Sequence, residues 1–162
     1  MVKYLTEQGA DLNAKDKYGR TALMWAATWG HWEMVKYLTE QGADLEAKDK
    51  DGRTALMEAA FWGKLDVVKC LVEHGADLEA KDKDGETVLM MVARCGKLDE
   101  VKYLAECGAD LKAKDEYGQT ALDIARMWDK ADCVKFLEEL QKKNLAQIKG
   151  NFWQRMFGGR NR

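Results

Sequence analysis

The chain has 162 residues, of which 46% are hydrophobic and 33% are charged, and its formal net charge is −2. This length suits one compact domain or one short solenoid, and the small net charge argues against a nucleic-acid binder of the strongly basic kind. The sequence has no apolar run of the length that crosses a bilayer, and no apolar core of a cleaved signal peptide follows the first residues.

The chain's chemistry-bearing residues point to no catalytic or metal site. Serine is absent, the two histidines are not clustered with cysteines, and the four cysteines form no Cys-x-x-Cys pair. We therefore predict no enzyme activity, no small-molecule substrate, no cofactor and no metal. Single reduced thiols are expected in a cytoplasmic protein; the alternative is secretion by a route without a cleaved signal peptide.

One stretch of sequence recurs along most of the chain. Copies begin at Asp16, Asp49, Asp82 and, more loosely, Asp115, so consecutive copies start 33 residues apart. A fixed period of this size indicates one supersecondary unit stacked on itself. The predicted division is a partial repeat at 1–15, full repeats at 16–48, 49–81 and 82–114, a degenerate repeat at 115–140, and a basic amphipathic helical cap and tail at 141–162.

The partial repeat at 1–15 matches the second half of a full unit and lacks the first helix of its own unit. Its apolar residues Val2, Tyr4 and Leu5 therefore have no helix of their own repeat to pack against. We expect this segment to fray, to pack on the next repeat, or to pair with a second molecule, which makes self-association a candidate property.

Each full unit predicts a turn followed by two short helices, as the first copy illustrates. Gly19 supplies the positive φ of the turn, and Thr21 is placed to cap a first helix at 22–29. The second helix is expected at 32–40. Trp32 occupies a position that holds Leu65 or Leu98 in other copies and is predicted to fill the core.

These features resemble the ankyrin-repeat family, with the unit's Pro-His pair reading Ala-Met. The matching residues of the central copy are Asp49, Gly52, Thr54, Leu56, Ala59, Ala60, Gly63, Val68, Leu71, Gly75, Ala76 and Asp77. The resemblance implies an all-α solenoid of helix-turn-helix-loop units. It also implies a non-enzymatic module that binds a partner protein or peptide through its turn tips and first helices, which line a concave face.

The fourth copy loses the glycine and alanine of the unit at Asp129 and Arg126. Its second helix is therefore predicted to continue into the tail and to end at Gly150–Asn151. The tail has six basic residues, no acidic one, and an apolar cluster at 152–157. Two interpretations stay open: a helix that caps the last repeat, or a segment that docks on an anionic membrane or a nucleic acid.

Repeat positions that vary between copies are candidates for partner contact, because the packing pattern does not fix them. Counted from the turn aspartate as position 1, the varying positions are 3, 5, 10, 13 and 14. Large aromatic residues at several of them suggest an anchor surface, since Trp and Tyr dominate interface hot spots. The predicted partner-binding residues are Tyr18, Arg20, Trp25, Trp29, Arg53, Glu58, Phe61, Trp62 and Trp128.

Two further patterns concern charge. Glu58 lies among aromatic residues, which suits an organic cation, but the simpler interpretation is a solvated side chain at a variable position. At positions 2, 3 and 5 the first two repeats carry net positive charge and the last two carry net negative charge. Such a gradient orients a partner, or it is drift among exposed residues. An engineered scaffold without a native partner is the remaining alternative for this regular array.

Overall fold

The computed structural model describes residues 7–157, apart from the side chains of residues 145, 146 and 148–157. Within this range the backbone forms eight complete α-helices and no strand. They are α1 (Ala22–Trp29), α2 (Trp32–Glu40), α3 (Ala55–Phe61), α4 (Leu65–Glu73), α5 (Val88–Cys95), α6 (Leu98–Glu106), α7 (Ala121–Met127) and α8 (Ala131–Phe157). The predicted all-α class is confirmed, and the helices of the first repeat have the predicted bounds.

In every repeat an aspartate side chain closes the turn and a threonine side chain caps the first helix. Asp49 Oδ1 accepts hydrogen bonds from the backbone N–H groups of Asp51 and Arg53, both at 2.9 Å. Thr54 then caps α3 by accepting from the N–H of Met57. The other three repeats have the same arrangement, so the turn aspartates serve the backbone.

The helices form two layers, and α1 to α7, with nine residues or fewer each, are too short to be stable alone. The first helices α1, α3, α5 and α7 pack in series, and so do the second helices α2, α4, α6 and α8. Leucines of the first helices are buried between the layers, among them Leu23 and Leu56, each 1% exposed. Stability therefore comes mainly from contacts between neighbouring repeats.

Neighbouring turns are also joined through their backbones. The N–H of Lys83 donates to the carbonyl of Asp51 at 3.0 Å, and equivalent bonds join the other tips. Gly52 has φ 75° and lies against the next turn so closely that an added Cβ would sit 2.8 Å from the nitrogen of Lys83. The turn therefore needs glycine both for its conformation and for the close approach.

The last repeat ends in one helix of 27 residues, α8. Asp129 replaces the glycine of the other repeats and adopts φ 53°, close to the 73° of Gly30. The predicted continuation of the second helix is confirmed, but the predicted break at Gly150–Asn151 is wrong, because α8 runs through both residues to Phe157. An interior glycine costs a helix only about 1 kcal/mol relative to alanine and keeps its backbone donor.

Trp32 is not the core residue that its position suggested. Its side chain is 44% exposed, and the ammonium of Lys36 lies 5.4 Å from the ring centroid. As the first residue of α2, Trp32 lies at the edge of the repeat, one turn before the buried Val35 and Leu38. The predictions for Val2, Tyr4 and Leu5 and for the apolar cluster at 152–157 concern residues or side chains outside those described.

Candidate partner-binding face

The turn tips and the first helices α1, α3, α5 and α7 share one side of the array, here called the first-helix face. Its most exposed tryptophans all occupy repeat position 14, at the carboxyl end of a first helix. Trp29 is 66% exposed, Trp62 54% and Trp128 53%. The third repeat has the half-buried Cys95 at this position. The first two repeats, which are neighbours in the array, therefore each present one exposed indole.

Phe61 supports this surface from below. It is half-buried against the core, and its ring meets that of Trp62 edge to face with centroids 5.3 Å apart. The guanidinium of Arg53 lies over the same Phe61 ring, 5.2 Å from its centroid. Phe61 therefore fixes the positions of a tryptophan and an arginine, and little of its own surface is open to a partner.

Trp25 is held within its own repeat. Its indole N–H donates to Asp16 Oδ2 at 2.9 Å, and the Arg20 guanidinium lies 4.9 Å from its ring centroid. The hydrogen bond from the backbone N–H of Arg20 is the main cause that lowers the pKa of Asp16. Trp25 is 36% exposed, and its neighbour Ala22 is exposed as well.

Repeat position 10, which Trp25 occupies, is a packing position, so the prediction that it lies outside the packing pattern is wrong. In the next three repeats this side chain lies against the preceding repeat. Its exposed fraction there falls to 1% or less, for Glu58, Met91 and Ile124. Likewise, Ala22 is exposed while its counterparts Ala55, Val88 and Ala121 are buried. The exposure of Trp25 is therefore a property of the first repeat and not of the face.

Glu58 is the most unexpected of the predicted residues, because it is a carboxylate that is only 1% exposed. Its Oε1 lies 3.6 Å from Nη2 of Arg20 and 3.5 Å from Nη1 of Arg53. Its Oε2 accepts a hydrogen bond from Oγ1 of Thr28 at 3.2 Å. These four residues are here called the Glu58 cluster. Both predictions for Glu58 are wrong: it is not solvated, and two arginines already occupy the place of an external cation.

The Glu58 cluster is held by charge more than by hydrogen bonds. Its two arginine contacts are longer than ordinary N–H···O hydrogen bonds. Glu58 Oε1 and Arg53 Nε are buried, and within the described part of the chain neither has a hydrogen-bond partner. Arg20 also lies 3.7 Å from Asp49 Oδ2 through its Nε. The cluster therefore joins the first two repeats and leaves arginine donors unused.

The turn tips add polar groups beside this cluster. Tyr18 is 53% exposed, with the ammonium of Lys17 4.9 Å from its ring centroid. The hydrogen bond and charge of Lys83, 2.7 Å away, lower the pKa of Asp51. An open pocket of about 380 Å³ lies between the first two tips and is lined by Tyr18, Arg20, Trp25, Asp49, Lys50 and Asp51.

The third repeat closes the same positions with its own side chains. Arg94 Nη1 donates to Glu86 Oε1 at 3.0 Å, so this guanidinium is engaged within its repeat. Glu86 is 8% exposed, and burial raises its pKa despite the opposing charge of Arg94. Met91 at position 10 is fully buried, so these residues present no exposed aromatic ring, and their arginine is already hydrogen-bonded to a carboxylate.

Within residues whose placement is described, no group of three histidine, cysteine or acidic residues is arranged to hold a metal ion. None of the helices in that part combines the length and the apolar character needed to cross a bilayer.

Comparison with protein families accounts for the repeat. The model for ankyrin repeats in three copies matches residues 1–82, and a second ankyrin-repeat model matches residues 71–125. The chain belongs to the ankyrin-repeat family. No curated protein sequence matches it. Ankyrin repeats are in general protein–protein interaction modules, and proteins built from them are typically not enzymes.

Within this ankyrin array, the structure separates the predicted site residues by role. Tyr18, Trp29, Trp62 and Trp128 are exposed, whereas Glu58 and Phe61 lie below them. Two contacts were not predicted from the sequence: the hydrogen bond from Thr28 to Glu58 and the proximity of Asp49 to Arg20. One signal was available, because the first two repeats both have arginine at position 5 and the second of them has a carboxylate at position 10.

Proposed function

We propose that this ankyrin array binds a partner protein or peptide on its first-helix face, taken as the concave face, with Trp29 and Trp62 as the central anchors. The observation that carries the proposal is the exposure of these two indoles, 66% and 54%, in adjacent repeats. Arg20, Arg53 and Tyr18 form the rim toward the turn tips, and Trp128 extends the surface in the last repeat.

The physical reason is the cost of leaving such groups in water. Contiguous exposed apolar surface on a soluble protein usually marks a contact site, and tryptophan supplies a large share of the binding energy where it becomes fully covered. Glu58, Phe61 and Trp25 support the surface in this proposal: they hold the arginines and Trp62 in position and take little direct part in contact.

The test is binding by the intact chain and by three variants. A partner is first recovered by affinity purification and then measured as a purified component. Trp29→Ala and Trp62→Ala are expected to weaken its binding while the helical circular dichroism spectrum is retained. Cys95→Ala, at the same position of the third repeat, is the matched control and is expected to bind normally. Normal binding by both tryptophan variants would contradict the proposal.

A second candidate function rests on the charge of the segment at 141–162. It holds six basic residues and no acidic one, and Lys142 and Lys143 are exposed on α8. This segment would dock the chain on an anionic membrane or a nucleic acid, and such binding falls steeply as salt is added. Binding to anionic vesicles or single-stranded DNA that is lost on removing 141–162 would favour it over the first-helix face.

We also propose the division of the chain given above as its domain organisation, with 115–140 as a degenerate last repeat and 141–162 as its cap and tail. The engaged pair Arg126–Glu138, 2.7 Å apart, supports the inclusion of the start of α8 in the last repeat. Hydrogen exchange tests this division: slow exchange to about residue 140 and faster exchange beyond it is expected. Uniform protection through Phe157 would contradict it.

A further inference from the structure

The guanidinium groups of Arg20 and Arg53 are fixed in place without using their hydrogen-bond donors. Both point to the same Glu58 oxygen, at 3.6 and 3.5 Å, and neither contact is a hydrogen bond. Both side chains keep a solvent-accessible part, 23% for Arg20 and 26% for Arg53. Apart from the buried Nε of Arg53, this pair of guanidinium groups therefore retains donors that an external acceptor can use.

An aromatic ring lies beside each of these guanidinium groups. Arg20 lies over the Trp25 ring, 4.9 Å from its centroid, and Arg53 lies over the Phe61 ring at 5.2 Å. A carboxylate binds an arginine through two parallel N–H donors. The ring contacts restrict the arginine side chains before a ligand arrives and use none of those donors, which lowers the entropy cost of binding.

Arg94 in the third repeat shows an arginine that is hydrogen-bonded to a carboxylate in the same array. Its Nη1 donates to Glu86 Oε1 at 3.0 Å, within hydrogen-bond distance. No such bond is made by the side chains of Arg20 and Arg53 to protein groups in the described part of the chain. The difference is confined to the repeats that also expose Trp29 and Trp62.

We infer that Arg20 and Arg53 together bind one carboxylate side chain of the partner, an aspartate or glutamate, and that apolar residues next to it cover Trp29 and Trp62. This inference rests on the proposed function, since it names the chemistry of the segment that the first-helix face takes. The partner is thus a peptide segment that combines a single acidic residue with aromatic or aliphatic neighbours.

The local charge favours a singly charged ligand over a doubly charged one. Glu58 and Asp49, the latter 3.7 Å from Arg20, balance the two positive charges of Arg20 and Arg53. A doubly charged phosphate would leave two uncompensated negative charges there, so the site suits a carboxylate better. Lys17 and Lys50 keep the first two tips positive, while the tips of the last two repeats are negative and orient an acidic segment toward the first two.

The experiment is a selection from a displayed library of random peptides against the intact chain, followed by affinity measurements on one selected peptide. We expect the selected sequences to share an aspartate or glutamate beside aromatic or aliphatic residues. Replacing that residue by its amide is expected to weaken binding to the wild-type chain at least tenfold, because charge-assisted hydrogen bonds to arginine are lost.

A double-mutant cycle then assigns this loss to the arginines. The variant Arg20→Lys/Arg53→Lys keeps both charges beside Glu58, so the fold is retained, but it removes the planar donor pairs. Against this variant, the acidic peptide and its amide are expected to bind within about threefold of each other. The control variant Arg94→Lys is expected to keep the full tenfold difference.

The outcomes separate the inference from the proposed function. Peptides that lose affinity with Trp29→Ala and Trp62→Ala but carry no acidic residue would overturn the inference and leave the proposed function standing. Peptides whose binding is unaffected by the tryptophan variants, or a library that yields no binder, would overturn both. An acidic peptide that discriminates equally well on the double lysine variant would also overturn the inference.

Discussion

The second and third repeats solve the same packing problem with opposite chemistry. At repeat position 10 the second repeat buries Glu58 and the third buries Met91, at 1% and 0% exposure. Around Glu58 the arginines make ion pairs without a hydrogen bond to the carboxylate, whereas in the third repeat Arg94 and Glu86 form a direct hydrogen bond. The repeat can therefore accept either a charged or an apolar side chain here, provided that its neighbours are matched to it.

Under the proposed function, this difference confines the binding surface to part of the array. The fold needs an occupied position 10, and a methionine meets that need at lower electrostatic cost. A buried ion pair contributes little to stability in general and is often replaceable by apolar residues. We therefore attribute the charged solution around Glu58 to the positioning of Arg20 and Arg53, next to the exposed Trp29 and Trp62.

Exchanging the position-10 side chains of the second and third repeats is expected to give the largest effect on stability. Met91→Glu places a carboxylate in the third repeat where Glu86, equivalent to Arg53, carries the same charge. We expect a loss of about 3 kcal/mol or more in the free energy of unfolding, as for other poorly compensated buried charges. The measurement is urea denaturation at neutral pH.

The reverse exchange, Glu58→Met, is the control for that prediction. It is expected to change the free energy of unfolding by no more than about 1 kcal/mol, because Arg20 and Arg53 can turn toward solvent. If Glu58→Met destabilised the chain as much as Met91→Glu, the charge cluster would be a structural necessity, and its assignment to binding would fail.

The exposed indoles give the next largest effect, which concerns binding and not folding. Trp29→Ala and Trp62→Ala are each expected to weaken partner binding by about 2 kcal/mol or more. Each should change the free energy of unfolding by less than about 1 kcal/mol, since most of the indole is already in water. Isothermal titration calorimetry with the selected peptide, and denaturation of the same samples, separate the two quantities.

The sequence predicted the parts of the structure that depend on neighbouring residues in the chain. The threonine caps, the positive-φ glycines and the bounds of α1 and α2 follow from local rules, and the structure confirms them. The residues at position 10 were wrongly taken as free because they vary. They vary while buried, since each fits side chains of the preceding repeat, such as Thr28 above Glu58, and that pairing is not local in sequence.

Trp32 and the tail were mispredicted for related reasons. Trp32 was assigned to the core by comparison with leucines, but Leu65 and Leu98 at that position are themselves only half-buried. The end of α8 was placed at Gly150 because glycine ends the earlier helices. At the ends of those helices glycine adopts a left-handed conformation. Inside a continuing helix a glycine does not need that conformation.

Glu86 gives a smaller, pH-dependent effect that belongs to the third repeat alone. Burial raises its pKa in the folded chain, so its protonated form favours folding at pH below its ordinary value. That contribution is lost as the pH rises through the folded-state pKa. Glu86→Gln is therefore expected to raise the free energy of unfolding at pH 7, within about 1 kcal/mol.

The pH dependence of this variant provides the check. The difference between Glu86→Gln and the wild-type chain should shrink as the pH is lowered toward 4, where the wild-type carboxyl is increasingly protonated. Denaturation at pH 4, 5.5 and 7 measures it. A wild-type chain that is more stable than the variant at pH 7, and loses that advantage in acid, would mean that the Arg94 pair outweighs burial.

The smallest effect is expected from Arg126→Ala in the degenerate repeat. Arg126 donates to Glu138 at 2.7 Å, but the two side chains are 53% and 37% exposed, and exposed ion pairs contribute from zero to about 1 kcal/mol. Thermal melting is expected to change slightly and peptide affinity not at all. A large loss of affinity would move the binding surface toward the last repeat.

The indole N–H resonances of the six tryptophans show whether a partner binds on the first-helix face or through the tail. In a ¹⁵N-resolved NMR titration with the selected peptide, we expect the resonances of Trp29 and Trp62 to shift together at saturating peptide, while that of Trp153 in the tail stays unchanged. Shifts confined to Trp153, with Trp29 and Trp62 unaffected, would contradict this expectation and assign the binding site to the tail.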